Sequence, residues 1–195
     1  MKTDVINVSS SGARMEKALG QVDKVAAYKG LSPKDALHLR LLTEEMMGMM
    51  RSITGEQAGQ FWIEDHDGVY QLHLQVNTLM TMDKRDRLLA AATSGKNEAA
   101  RGLMGRLRNF FEQGDESSFY MYAPENFEFS TTPTLDWEWS MSTYQNQLAE
   151  WAANDEKARA MWDELESSVV THVADDIKVY IRGDRAEMVI YKKLQ

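Results

Sequence analysis

The segment from Ser32 to Gly55 most constrains the fold, because its pattern predicts one long and largely apolar helix. Ser32 is suited to the N-cap, Pro33 to the first helical position and Asp35 to the first turn. Its apolar residues are Leu37, Leu39, Leu41, Leu42, Met46, Met47, Met49, Met50 and Ile53. They cover more than one helical stripe, so we expect this helix to be buried on most of its sides.

Other apolar residues at helical spacing predict several further helices. The first runs from Ala13 to about Ala26 and should end at Gly30, a residue typical of helix C-termini. The remaining predicted helices cover residues 83–92, 96–112 and about 143–173, with a break in the last near Asn154 and Asp155.

Strands are predicted where apolar and polar residues alternate. Residues 69–76 alternate in this way and follow Asp67-Gly68, a dipeptide that favours a tight hairpin turn after the apolar segment 61–63. Further strands are predicted at residues 5–8, over Leu135, Trp137, Trp139 and Met141, and on both sides of Gly183-Asp184. Helices are grouped and do not alternate regularly with strands, so the order favours an α+β two-layer sandwich.

Composition limits the classes of function. The 195 residues suit one domain, 1–195, in which residues 113–160 resemble an insertion. The net charge of −8 argues against direct binding of nucleic acid, which needs a basic surface. The sequence has no cysteine, no apolar run long enough to span a membrane and no secretory signal, so we expect a soluble cytoplasmic protein.

Four segments together resemble the GHKL, or Bergerat-fold, ATPases, and most closely the anti-sigma-factor serine kinases of bacteria. They are "SSGARMEKAL", "KGLSPKDA", "LRLLTEEMMGM" and the closing "DDIKVYIRGDRAEMVIYKKL". The resemblance implies a mixed or antiparallel sheet covered on one face by helices. It also implies ATP or ADP as ligand and a protein partner, such as a transcription regulator.

The third of these segments matches the N box of the family, which carries a glutamate and, one turn later, an asparagine that binds Mg²⁺. Residues i and i+4 share one face of a helix. Glu45 falls at the position of the glutamate and is the candidate catalytic residue, whereas Met49 occupies the position of the asparagine. A thioether is a poor ligand for Mg²⁺, so the sequence disfavours a metal site. Shifting the register by one pairs Glu44 with Gly48, which supplies no ligand either.

The candidate nucleotide contacts lie after the central hairpin. By resemblance, Asn77 stands where the family has an aspartate that reads adenine. A polar break, Ser94, Gly95, Lys96 and Asn97, precedes a predicted helix. It is either an ordinary N-cap or a helix N-terminus that holds phosphate, with Lys96 near the phosphate. Arg101 belongs to a basic helix with Arg106 and Arg108, which serves either as a solvated face or as a cover for phosphates. These residues predict weak binding of ATP or ADP.

Two clusters have both a packing and a binding interpretation. Methionines 46, 47, 49 and 50 suit an adaptable core, or else an apolar ligand groove. Tryptophans 137, 139, 151 and 162 suit core packing or a partner surface. The four histidines lie far apart in sequence and form no metal-binding pattern.

Three hypotheses follow. The first is a degenerate kinase-like ATPase domain that acts as a regulatory or protein-binding module, either alone or as a homodimer. The second is a functional ATP-binding protein or serine kinase with atypical phosphate contacts. The third is an α+β protein that binds an apolar small molecule in a methionine-lined groove.

Overall fold

The computed structural model of the protein describes residues 1–9, 13–54, 58–77, 137–152, 156, 159, 162–163, 169–182 and 185–194. In chain order its elements are β1 (Ile6–Ser9), α1 (Ala13–Lys29), α2 (Pro33–Thr54), β2 (Ala58–His66), β3 (Val69–Asn77), β4 (Trp137–Ser140), α3 (Met141–Ala152), α4 (Val169–Val173), β5 (Asp176–Arg182) and β6 (Arg185–Lys193). The predicted helices over 83–92 and 96–112 lie outside these residues.

The six strands of the described residues form one sheet in the order β1-β2-β3-β6-β5-β4, and every neighbouring pair is antiparallel. Two hairpins, β2–β3 and β5–β6, lie side by side because β3 pairs with β6. The short strands β1 and β4 form the two edges. This arrangement confirms the predicted α+β class and the antiparallel form of the sheet.

The core lies between one face of the sheet and the helices. Strand residues at alternate positions join helix residues in a single buried cluster, as the pleat of a strand requires. Its strand residues include Phe61, Ile63, Leu72, Leu74, Ile177, Val179, Met188 and Ile190. Helix α2 contacts the central strands β3 and β6, and α1 contacts α2, β1 and β2. The opposite face, which carries the intervening side chains, is called the outer face below.

The link between α1 and α2 follows its sequence signals closely. Gly30 adopts a positive φ of 65°, and the amide of Leu31 donates to the carbonyl of Ala26 at 3.0 Å, which closes α1 in a Schellman-type turn. Ser32 then caps α2, since its Oγ accepts from the amide of Asp35 at 3.1 Å. These local hydrogen bonds fix where the two helices of the layer begin and end.

Helix α2 is less buried than its composition predicts. Leu37 is 54% exposed, and Glu45 and Gly48 are exposed on the same side of the helix. The buried stripe instead includes Leu39, Leu42, Met46 and Met49, which face the sheet and its neighbouring helices. The prediction of burial on most sides was wrong, because the sheet lies on one side of α2 only.

The hairpin between β2 and β3 has the tight turn that the sequence predicts at Asp67-Gly68. Asp67 and Gly68 both have positive φ, 54° and 86°, as a two-residue turn of the primed type requires. The carboxylate of Asp65, just before the turn, accepts from the amide of Gly68 at 3.0 Å and pairs with Lys29 of α1. The turn therefore also ties the sheet to the first helix.

The region after residue 136 differs from its prediction in detail. The predicted strand through Met141 ends at Ser140, because Ser140 caps α3 and Met141 is already a buried helical residue. The carboxylate of Asp176 in β5 accepts from the amide of Ser142 at 3.1 Å, which holds the start of α3 against the sheet. Residues 137–152, within the predicted insertion, thus supply an edge strand and part of the helix layer.

Candidate functional site

The two N-box residues of α2 occupy very different environments. Glu45 is exposed, whereas Met49, one turn later, is only 4% exposed and belongs to the hydrophobic core. Met46 and Met47 are buried in the same cluster, as the packing interpretation of the methionines predicts. Trp162 also packs against this core, while the side chains of Trp137, Trp139 and Trp151 lie outside the described part of the structure.

Asn77 lies at the exposed end of β3, opposite Arg185 of β6. Its neighbour Val76 is buried in the core, so the alternation of the strand places Asn77 on the outer face. Glu45 belongs to the helix layer on the other side of the sheet. The structure therefore does not bring these two candidate residues together.

The remaining predicted nucleotide contacts are outside the described residues. They are Ser94, Gly95, Lys96, Asn97 and Arg101, together with Arg106 and Arg108. Their roles in binding phosphate stay predictions.

The outer face carries a connected group of aromatic and charged side chains at the β2 side of the sheet. The rings of Trp62 and His73, which are cross-strand neighbours, stack with centroids 4.7 Å apart and planes 10° from parallel. Trp62 Nε1 donates to Glu64 at 3.0 Å, and Glu64 also pairs with Lys2 at 2.9 Å. The ammonium of Lys2, followed by His66, lowers the pKa of Glu64 to about 2.

The two ring nitrogens of His73 have different surroundings. Nδ1 lies 2.9 Å from the carboxylate of Glu187 in β6, so a proton on Nδ1 gives a direct hydrogen bond. His73 is 9% exposed, and its Nε2 is buried without a hydrogen-bond partner among the described residues. In that tautomer Nε2 carries a lone pair, which makes it a hydrogen-bond acceptor.

A second aromatic group lies on the outer face at the β5 side of the sheet. Lys178 Nζ lies 5.9 Å from the ring centroid of Tyr191, and the guanidinium of Arg182 lies 5.4 Å from that of Tyr180. Burial raises the pKa of the Tyr180 hydroxyl, and its hydrogen bond with Tyr191 raises it further. Lys178 is also 3.7 Å from Glu138 of the edge strand.

Sequence reasoning missed the outer face as a surface of interest. Trp62 and His73 become neighbours only through the register of β2 and β3, and Glu187 is 114 residues from His73. The available signal was the alternation of residues 69–76, which already assigned His73 to the polar side of its strand.

Neither a metal centre nor a membrane helix is found in the part of the chain that the structure describes. No three of its histidine, aspartate or glutamate side chains are placed to hold one metal ion. None of its helices is both long enough and apolar enough to cross a lipid bilayer.

Comparison with known proteins gives no relative from which to assign a function. No protein-family model matches the chain, and no curated protein or solved structure matches it significantly.

Proposed function

We propose that the protein is a degenerate histidine-kinase-like ATPase domain that acts as a regulatory, protein-binding module. The observation that carries this proposal is the burial of Met49 in the core, at the position where the resembled family places its magnesium ligand. A core thioether supplies no oxygen to a metal ion, and its burial leaves no room for a phosphate beside it.

The position of Asn77 supports the same proposal. In a nucleotide site built on the family pattern, the adenine-reading residue and the N-box glutamate contact one bound molecule. Here Asn77 is on the outer face and Glu45 is in the helix layer, with the sheet between them. A nucleotide that contacts Glu45 on the helix side would therefore lie on the opposite face of the sheet from Asn77.

A binding role fits the chemistry of the outer face. Aromatic residues with polar edges and arginines are enriched where proteins meet partners. Trp62, Tyr180, Tyr191 and Arg182 are partly or fully accessible on this face. The partner is a protein, such as a transcription regulator, in keeping with the resemblance to anti-sigma factors.

Calorimetric titration with ATP and ADP, with and without Mg²⁺, tests the loss of nucleotide binding. We expect no binding that Mg²⁺ strengthens and no difference between the wild type and Glu45→Ala, which changes an exposed residue only. Tight, Mg²⁺-dependent binding that Glu45→Ala or Lys96→Ala weakens would establish the kinase hypothesis in its place.

The binding role has its own test. Quantitative affinity capture with the wild type, Trp62→Ala and Glu45→Ala should recover one protein reproducibly. We expect the recovered amount of this protein to fall for Trp62→Ala and to stay unchanged for Glu45→Ala. Equal recovery with all three variants, or no specific recovery, would contradict a partner on the outer face.

A further inference from the structure

Three polar side chains form a row at one end of the outer face. Asn77 of β3 is directly opposite Arg185 of β6, and Arg185 is directly opposite Arg182 of β5. All three residues are exposed. Neighbouring strands lie about 5 Å apart, so the two guanidinium groups and the amide can reach one small ligand.

Two other cations of the outer face have carboxylate partners, whereas no such partner is found for the two arginines of this row within the described part of the chain. Lys2 pairs with Glu64 and Lys178 pairs with Glu138. Among the described residues, no carboxylate forms an ion pair with Arg182 or Arg185. Like charges directly opposite each other in an antiparallel pair repel, so an anion bound between the two guanidinium groups would relieve this repulsion.

One of the two guanidinium groups is held in place by the sheet itself. Arg182 lies over the ring of Tyr180, and Tyr180 is hydrogen-bonded to Tyr191. A guanidinium that rests on an aromatic ring keeps its planar edge free for a bidentate contact with an oxyanion. Such a contact loses less side-chain freedom than one made by a fully mobile arginine.

We propose that Arg182, Arg185 and Asn77 form a binding site for a phosphoryl group, either of free phosphate or of a phosphate monoester. Two adjacent guanidinium charges match the nearly double negative charge of a phosphate monoester at neutral pH. They match the single charge of a carboxylate less well. The Asn77 amide adds a neutral donor for a third oxygen. The site is on the opposite side of the sheet from Glu45, and it does not depend on nucleotide binding.

Nuclear magnetic resonance of the arginine side chains tests this site directly. The full-length ¹⁵N-labelled protein is titrated with inorganic phosphate, with glycerol phosphate and with acetate at constant ionic strength. We expect saturable shifts at the Nε–Hε groups of Arg182 and Arg185 with either phosphate. Arg14, an exposed arginine on α1, serves as the internal control and should not respond. The ligand that binds more tightly, inorganic phosphate or glycerol phosphate, shows whether the site prefers free phosphate or a phosphate monoester.

Substitutions separate a built site from general attraction to positive charge. Arg182→Gln and Arg185→Gln should each raise the dissociation constant for phosphate at least about tenfold, as the loss of a charge-assisted bidentate contact implies. Arg14→Gln should leave it unchanged, and Asn77→Ala should weaken it less. Shifts that do not saturate, an equal response at Arg14, equal affinity for acetate, or an unchanged constant in the double variant would each overturn the proposal. ATP-dependent shifts around Glu45 would overturn the proposed function and leave this site unaffected.

Discussion

The burial of Met49 leads to a quantitative prediction for Met49→Asn, the substitution that restores the ligand type of the resembled family. Burying a methionine side chain contributes about 1.5–3 kcal/mol, and most of this is lost with asparagine. An amide buried without a partner costs about another 1–3 kcal/mol. Because Met49 is only 4% exposed, we expect Met49→Asn to lower the free energy of unfolding by about 3–5 kcal/mol.

The matched control for this experiment is Glu45→Asn, one turn earlier on the same helix and exposed. This variant also introduces an asparagine into the same helix. It should change the free energy of unfolding by no more than about 0.5 kcal/mol, the usual range for surface substitutions. Urea unfolding, monitored by far-ultraviolet circular dichroism, measures the free energy of unfolding of both variants. A loss below about 1 kcal/mol for Met49→Asn, or stabilisation of this variant by Mg²⁺ and ATP, would refute the reasoning.

Further predictions concern glycine packing and acid stability. Gly48→Ala should stabilise the protein by about 0.5–1 kcal/mol, since its added Cβ meets no atom within 4 Å. Gly59→Ala should destabilise it, because that Cβ would lie 2.7 Å from the carbonyl oxygen of Gln75. A melting temperature that does not rise for Gly48→Ala, or does not fall for Gly59→Ala, would contradict the corresponding expectation. The pKa of Glu64 is lowered from 4.5 to about 2, so its contribution to stability is present above pH 4.5 and is lost as the pH falls towards 2. Glu64→Gln should flatten urea-measured stability across this range, and a profile unchanged from the wild type would refute the pairing with Lys2.

Local signals in the sequence predicted much of the fold. Gly30, Ser32 and the Asp67-Gly68 turn were predicted because each acts on backbone groups a few residues away. The α+β class followed from the order of such elements. The exposure of Leu37 was not predictable from helical spacing alone, because spacing does not show which sides of a helix the sheet leaves open.

The contacts on the outer face could not be predicted, because a single sequence does not show the order of the strands in the sheet. Strand order places β6 beside β3, and this alone brings Glu187 to His73 and Arg185 to Asn77. Such pairs join residues more than 100 positions apart, and no local pattern specifies them. The same strand alternation that predicted the hairpin also determines that Asn77 faces away from Glu45.

The most direct test of the central claim is the methyl resonance of Met49 in the presence of Mn²⁺ and ATP. Manganese bound to a nucleotide one helical turn from Glu45 would broaden any methyl group close to it. We expect the methyl signal of Met49 in selectively ¹³C-labelled protein to keep its position and width, as those of the core residues Met46 and Met188 should. ATP-dependent broadening of the Met49 signal, with or without that of its neighbour Met46, would contradict the claim that this position belongs to the core and not to a nucleotide site.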